Sequence, residues 1–174
     1  MRYPLVTNRL SIQPLELADL SEFVTYRQDP EIARYQSWDT SYSSQQALEL
    51  IESQNGVALP EQGSWLQLAI HDRQTRVLIG DVALHNTEQD DCYEIGYTIA
   101  KPFQNQGFAK EAVSGVLEEL VSVIGVKRFI ATPDSRNEPS IRLLVSLGFE
   151  QIASKSWTEE FKGELVTVLF FERT

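Results

Sequence analysis

The stretch of this sequence best suited to chemistry is Gly96-Tyr97-Thr98-Ile99-Ala100-Lys101-Pro102-Phe103-Gln104-Asn105-Gln106-Gly107-Phe108-Ala109. It reads as a strand end, a polar loop and the start of a helix. The first turn of a helix leaves backbone N–H groups unpaired and carries a partial positive charge. Together these make a site for an anion. Gly107 has no side chain, so an anionic group can approach the backbone closely, and Ala109 is nearly as small. The chemistry this allows is binding of a phosphate or pyrophosphate by main chain alone; a plain turn is the other reading. No Gly-Lys-Ser/Thr follows, so the loop is not a Walker A loop, and the glycine pattern of a dinucleotide-binding fold is absent. His71 and His85 fall on different expected strands, have no cysteine partner and lack His-Glu-x-x-His spacing, so they give little support for zinc. Cys92, the only cysteine, reads as a small apolar strand residue.

The elements that must position this loop follow from periodicity. Ala109, Ala112, Val113, Val116, Leu117, Leu120, Val121 and Ile124 form an apolar stripe at helical spacing. Gly125 ends that helix. Upstream, 65–71, 77–85 and 92–99 read as three strands with short polar connections, an antiparallel meander. The loop between the last two contains Thr87, Glu88, Gln89, Asp90 and Asp91. Downstream, 128–131 reads as a strand, and Asn137-Glu138-Pro139 opens a helix with Asn as N-cap and Pro in the first turn. Gly148 stops that helix. The ranges 151–157 and 165–171 read as two last strands, joined by a turn at Lys162-Gly163. At the start, 10–14 reads as a strand and 16–27 and 43–53 as helices. The segment 29–40 between those helices, with Tyr35 and Trp38, is irregular or a helical turn; Tyr42 follows it. A strand–helix–strand passage after a meander implies a mixed α+β fold, with one central, mostly antiparallel sheet of about seven strands flanked by helices.

The chain has 174 residues, enough for one domain over 1–174 with a proper core. Lys and Arg number 15 and Asp and Glu 25, a formal net charge of −10. That balance argues against nucleic acid and against anionic membranes as partners. It suits a cationic partner such as an amine, and it also simply keeps a protein soluble. A single cysteine, no signal-peptide pattern and no run of about 20 apolar residues make a cytoplasmic protein the expectation.

Gln104-Asn105-Gln106-Gly107-Phe108-Ala109 resembles the acetyl-CoA motif of the GNAT acetyltransferase superfamily, Gln/Arg-x-x-Gly-x-Gly/Ala. Glu94-Ile95-Gly96-Tyr97 resembles the strand before that loop. Asn137-x-x-Ser140 followed by Leu147-Gly148-Phe149 resembles the downstream helix and its exit. Thr7-x-Arg9-Leu10 and Asp29-Pro30 look like the branch containing ribosomal-protein N-terminal acetyltransferases. Four motifs in register cover essentially the whole chain.

The resemblance implies acetyl-CoA as cofactor, with its pyrophosphate on backbone amides of Gln106, Gly107, Phe108, Ala109 and Lys110, and Gln104 in the same motif. It implies that the pantetheine arm pairs like an extra strand with Tyr97, Thr98 and Ile99, and that Asn137 contacts that arm. Lys101 and Lys110 add charge near phosphates or are ordinary solvated lysines. An attacking amine must first lose a proton, and Glu94 is the candidate base, directly or through water; an exposed strand residue or a salt-bridge partner is the alternative. Many relatives carry a tyrosine on the last helix as thiolate partner. Here Leu144 holds that position and cannot donate. Ser140, as in the ribosomal-protein branch, is the candidate acid or thiol contact. The region of Tyr35, Trp38 and Tyr42 either helps form the acceptor site or caps the core. The implied activity is direct acetyl transfer to a primary amine, above all a protein N-terminus. The alternatives are a small-molecule amine acetyltransferase and a non-catalytic acyl-CoA sensor.

Overall fold

In the computed structural model, which describes residues 1–89 and 91–174, strands and helices follow the expected order with additions at the edges. Asp90, in the expected loop, lies outside the described residues. The strands are β1 (Leu5–Val6), β2 (Leu10–Pro14), β3 (Trp65–Asp72), β4 (Leu78–Asn86), β5 (Cys92–Ile99), β6 (Arg128–Ala131), β7 (Glu150–Gln151), β8 (Trp157–Phe161), β9 (Glu164–Val168) and β10 (Phe171–Arg173). The helices are α1 (Leu20–Arg27), α2 (Pro30–Ala33), α3 (Ser44–Ser53), α4 (Phe108–Ile124) and α5 (Glu138–Ser146). Eight strands form one sheet in the order β1-β2-β3-β4-β5-β6-β10-β7, and β8 and β9 form a separate hairpin.

Local chemistry accounts for the helix boundaries. Ser43 and Gln46 form a reciprocal capping box at α3. The Asp29 side chain accepts from the Glu31 N–H, with Pro30 opening α2. Asn137 caps α5 by accepting from the Ser140 N–H. Gly125 closes α4 in the left-handed conformation.

The sheet is antiparallel except where β5 meets β6. There the strands run parallel, and pairing covers only Cys92 to Glu94 against Arg128 to Ile130. On its other edge β5 pairs with β4 along its full useful length, from Tyr93 to Ile99. Ile95 to Ile99 therefore carry a ladder on one side only, because β6 diverges. Gly80 makes the β4 side possible: a Cβ there would stand 2.1 Å from the Thr98 carbonyl.

Side chains alternate across the sheet. Leu66, Leu68 and Ile70 join Ile95, Ile99 and the inner face of α4 in one hydrophobic cluster. Ala69 and Leu78 join Phe23, Val24, Ala47 and Ile51 of α1 and α3 in a second. The α4 stripe is buried from Ala112 to Leu120, whereas Val121 and Ile124 are exposed.

Two strand expectations need correction. The expected strand over 151–157 is two-residue β7, a 3-10 turn (Ala153–Lys155) and the start of β8. The expected strand over 165–171 splits between β9, in the hairpin, and β10, in the main sheet. Strands of two or three residues are too short to show a period of two. The central sheet has eight strands, one beyond the expected seven or so, because the two-residue strand β1 adds to the edge beside β2. In the hairpin, Lys162 and Gly163 both adopt positive φ, as a two-residue hairpin turn demands.

Candidate active site

Gly107 precedes α4 with φ of 79°, a left-handed conformation that favours glycine. A Cβ there would meet only Arg9, at 3.5 Å, so backbone conformation rather than space selects glycine. The N–H groups of Gln106, Gly107, Phe108, Ala109 and Lys110 donate to no protein acceptor among the described residues. The loop thus offers the donor cluster that an anionic pyrophosphate needs. The Gln104 side-chain amide donates to the Ile99 carbonyl at 2.9 Å and the Gln106 amide to the Pro102 carbonyl at 2.9 Å. Both glutamine side chains thus brace the loop from within. Lys110 is exposed and forms no ion pair among the described residues, while Lys101 pairs with Glu31 on α2.

Thr7 and Arg9 explain the N-terminal motif. The Thr7 hydroxyl donates to Glu111 at 2.6 Å, the Arg9 N–H to the same oxygen at 2.7 Å, and the Arg9 Nε to the second at 2.6 Å. Arg9 also donates to the Gln106 carbonyl at 2.9 Å and stacks on Phe108. Partial burial pushes the Glu111 carboxyl up, but these hydrogen bonds and the Arg9 charge together hold it below its ordinary value. The latch neutralises an acid in the first turn of α4 that would otherwise repel an anion.

Glu94 and Ser140 stand on opposite sides of β5. Glu94 accepts from Thr132 at 2.7 Å and meets His85 Nδ1 at 3.3 Å, at the point where β5–β6 pairing ends. His85 is stacked on Trp65. On the other face, the Tyr97 and Ser140 hydroxyls are 2.8 Å apart. Burial, opposed by that hydrogen bond, pushes the Tyr97 phenol up to about 12. Leu144 is fully buried in the core. Asn137 spends its oxygen on the α5 cap, while its amide nitrogen donates to nothing among the described residues. The unpaired edge of β5 runs past Tyr97, Thr98 and Ile99, although the Ile99 carbonyl is already taken by Gln104.

A half-open cavity of about 450 Å³ lies on the α1–α3 face of β5. Its wall includes Gly96 and Thr98, and also Trp38 and Tyr42; Tyr35 instead donates to the Arg136 carbonyl. Glu94 is not in that wall. It lies two residues before Gly96 on the same strand face, about 7 Å along the chain. The cavity also contains residues that motif reasoning missed: Arg27 and Asp81, both buried. Asp81 accepts from the Tyr26 hydroxyl and the Gln67 amide. Burial pushes its carboxyl up, against the opposing pull of Arg27 and of those hydrogen bonds. A carboxylate in the middle of an apolar strand, Ile79-Gly80-Asp81-Val82, was the signal available.

The remaining sequence candidates are structural. His71 is hydrogen-bonded to Asp19 at 2.7 Å, and Cys92 is buried beside the Arg128 Nε. Among the described residues no group of three or more His, Cys, Asp or Glu could hold a metal ion. No helix among them is long and apolar enough to cross a membrane.

Comparison with known proteins agrees with this geometry. A model of the GNAT acetyltransferase domain matches residues 9–150. The N-acetyltransferase p20 of Bacillus licheniformis, itself uncharacterized, is 29% identical over 168 residues, 96% of this chain and 93% of that protein. The spermidine N-acetyltransferase of Vibrio cholerae, solved with CoA and spermine, superposes with a TM-score of 0.81 at 20% identity, covering 96% of each chain. RimL, the ribosomal L7/L12 alpha-N-protein acetyltransferase solved with CoA, superposes with a TM-score of 0.80 at 14% identity, covering 97% of this chain and 95% of its own. The loop, the splayed strand and the family match agree: this chain belongs to the GNAT acetyltransferases, enzymes that use acetyl-CoA.

Proposed function

We propose that the enzyme acetylates a protein N-terminal α-amino group by direct transfer, without a covalent enzyme intermediate. The observation that carries this reading is the composition of the acceptor cavity. Its wall holds a single acid, Asp81, and both oxygens of that acid are occupied by Tyr26 and Gln67. A polyamine carries several positive charges, and a wall with one buried acid already bonded to Tyr26 and Gln67 matches it poorly. The cavity is half-open, so a chain end can enter while the rest of the polypeptide leaves through the mouth.

Bound acetyl-CoA supplies the activated acyl group. The backbone amides from Gln106 to Lys110 hold its pyrophosphate, and the free edge of β5 at Tyr97 to Ile99 holds its arm, with the Asn137 amide available beside it. The α-amine, with an ordinary pKa of about 7.7–8.0, gives its proton to Glu94 through a bridging water. Thr132 and His85 orient that carboxylate. Backbone N–H groups on the unpaired stretch of β5 serve negative charge on the acyl oxygen. The Ser140 hydroxyl, held by Tyr97, donates to the departing thiolate.

The test is thiol release from acetyl-CoA across a panel of N-terminal peptides, polyamines and aminoglycosides, with the acetylated position read by mass spectrometry. Peptides acetylated at the α-amine are the expected products. Faster turnover of polyamines than of any peptide overturns the acceptor assignment. Tight CoA binding with no thiol release on any amine would leave a sensor instead.

A further inference from the structure

Arg27 lies at the end of α1 with 5% of its surface exposed. Its guanidinium carbon is 4.1 Å from the centroid of the Phe23 ring, 3.7 Å from that of Trp38 and 4.9 Å from that of Tyr42. Those rings hold the cation in place, with the attraction expected between a guanidinium and aromatic faces. Yet the buried Nε has no hydrogen-bond partner among the described residues, and Nη2 reaches Asp81 only at 4.0 Å. Guanidinium has five N–H donors, and buried donors are almost always satisfied. The natural counterion, Asp81, stays 4.0 Å from Nη2. Its own oxygens are committed to Tyr26 and Gln67. Asp81 therefore balances the charge without using the donors.

The same guanidinium forms part of the cavity wall that reaches Gly96 and Thr98 on β5. Asp81, 4.0 Å from the guanidinium, is the cross-strand partner of Thr98, so Arg27 lies near the β5 stretch that lines the cavity. We propose that Arg27 is a specificity-determining residue that receives a carboxylate of the acceptor, so that preferred acceptors are amines carrying a carboxylate close to the reacting nitrogen. A carboxylate matches the planar fork of a guanidinium in two parallel hydrogen bonds; an ammonium would be repelled. Apart from Asp81, the other polar side chains of the wall, among them Gln36, Ser37 and Gln46, are uncharged. The inference rests on the cavity being the acceptor site, and the carboxylate has two sources: an acidic side chain at a protein N-terminus, or the carboxylate of a free amino acid.

Two measurements test it. In the first, kcat/KM is compared for peptides beginning with Glu against Gln, for peptides with Glu against Gln in second place, and for free amino acids against their carboxamides. The carboxylate member of at least one pair should be preferred by about 10-fold or more, the range of a charge-assisted hydrogen bond. Preference within the peptide pairs assigns a protein N-terminus; preference only within the amino-acid pair assigns a free amino acid. In Arg27→Met the ratio should fall to about unity, and in Arg27→Lys to an intermediate value, with CoA affinity and thermal melting reporting whether each variant folds. Turnover without any carboxylate preference overturns this inference while leaving acetyl transfer to amines standing. The second measurement needs neither turnover nor a stable variant. The Arg27 Nε–H resonance of the wild-type protein is followed by NMR as glutarate or its diamide is added to the CoA complex. A saturable shift with the dicarboxylate alone supports the assignment, and no shift with either overturns it.

Discussion

The roles proposed for Glu94 and Ser140 place one residue on β5 and the other on α5, where Ser140 meets Tyr97 of β5. Successive side chains of β5 point to opposite faces, so Glu94 faces the acceptor side while Tyr97 points to α5 and meets Ser140. In the proposed mechanism the two groups would serve the attacking amine and the departing thiol separately. Glu94→Gln should lower kcat by about 100-fold or more, the usual contribution of a positioned base. Ser140→Ala should lower it by less, because Tyr97 keeps a hydroxyl at the same place. CoA affinity should stay within about 2-fold in both, since neither side chain belongs to the main-chain phosphate site. Stopped-flow thiol detection and calorimetric CoA titration check the pair; an unchanged rate in both variants would falsify these assignments.

At the scale of elements, the decisive junction is the one between the β1–β2 corner and the start of α4. Glu111 is the hub, bound by Thr7 and Arg9. Its folded carboxyl titrates below its ordinary value, so its contribution to stability is fully present above that value and is lost as pH falls through the folded pKa. The difference in urea unfolding free energy between wild type and Glu111→Gln should be about 1–3 kcal/mol at neutral pH and shrink as pH falls below the ordinary glutamate range. A difference that does not change with pH would sink the latch. Gly107 is the second lever at this junction. Gly107→Ala places a Cβ on a left-handed residue, costing about 1–2 kcal/mol, and should weaken CoA binding by about 10-fold. Gly107→Glu adds a negative charge beside the amides and should weaken it further. The hairpin is a third contributor: Lys162 at its tip donates to the carbonyls of Ala33 and Trp38, bracing the segment that forms one wall of the cavity.

On the scale of the whole molecule, a net charge of −10 confronts an anionic cofactor. In the proposed site the loop amides would make binding favourable locally, but approach is governed by the longer-range field. The association rate of CoA should therefore rise as ionic strength increases from about 10 mM to about 150 mM, as the Debye length shortens from roughly 30 Å to roughly 8 Å. A rate that falls over that range would show a positive field at the cleft mouth strong enough to outweigh the total. The architecture itself depends on one irregularity: seven strand junctions could close an unbroken sheet, but the single parallel one opens after three residue pairs.

Much of this was legible before any coordinates. The long stripe of α4, the capping signal of Asn137 and the Gly107 loop are local patterns, and local sequence dictates helices, caps and turns through short-range sterics and hydrogen bonds. The meander was readable for the same reason. Short strands were not: β1, β7 and β10 gain their pairing from neighbours distant in sequence, and Leu165, which reads as part of a core strand, is 79% exposed on the hairpin. The motif signature marked Thr7 and Arg9 without revealing that Glu111 gathers them. Nothing local marked Arg27 as more than a helix-end cation, nor Asp81 as its distant counterion. The sequence by itself determined a CoA-type loop on a mixed sheet, because that loop is a backbone conformation encoded within a few residues. Only the tertiary structure decided what surrounds the acceptor, because burial, desolvation and unpaired donors arise when α1, β4 and the Trp38 segment are brought together across long stretches of chain.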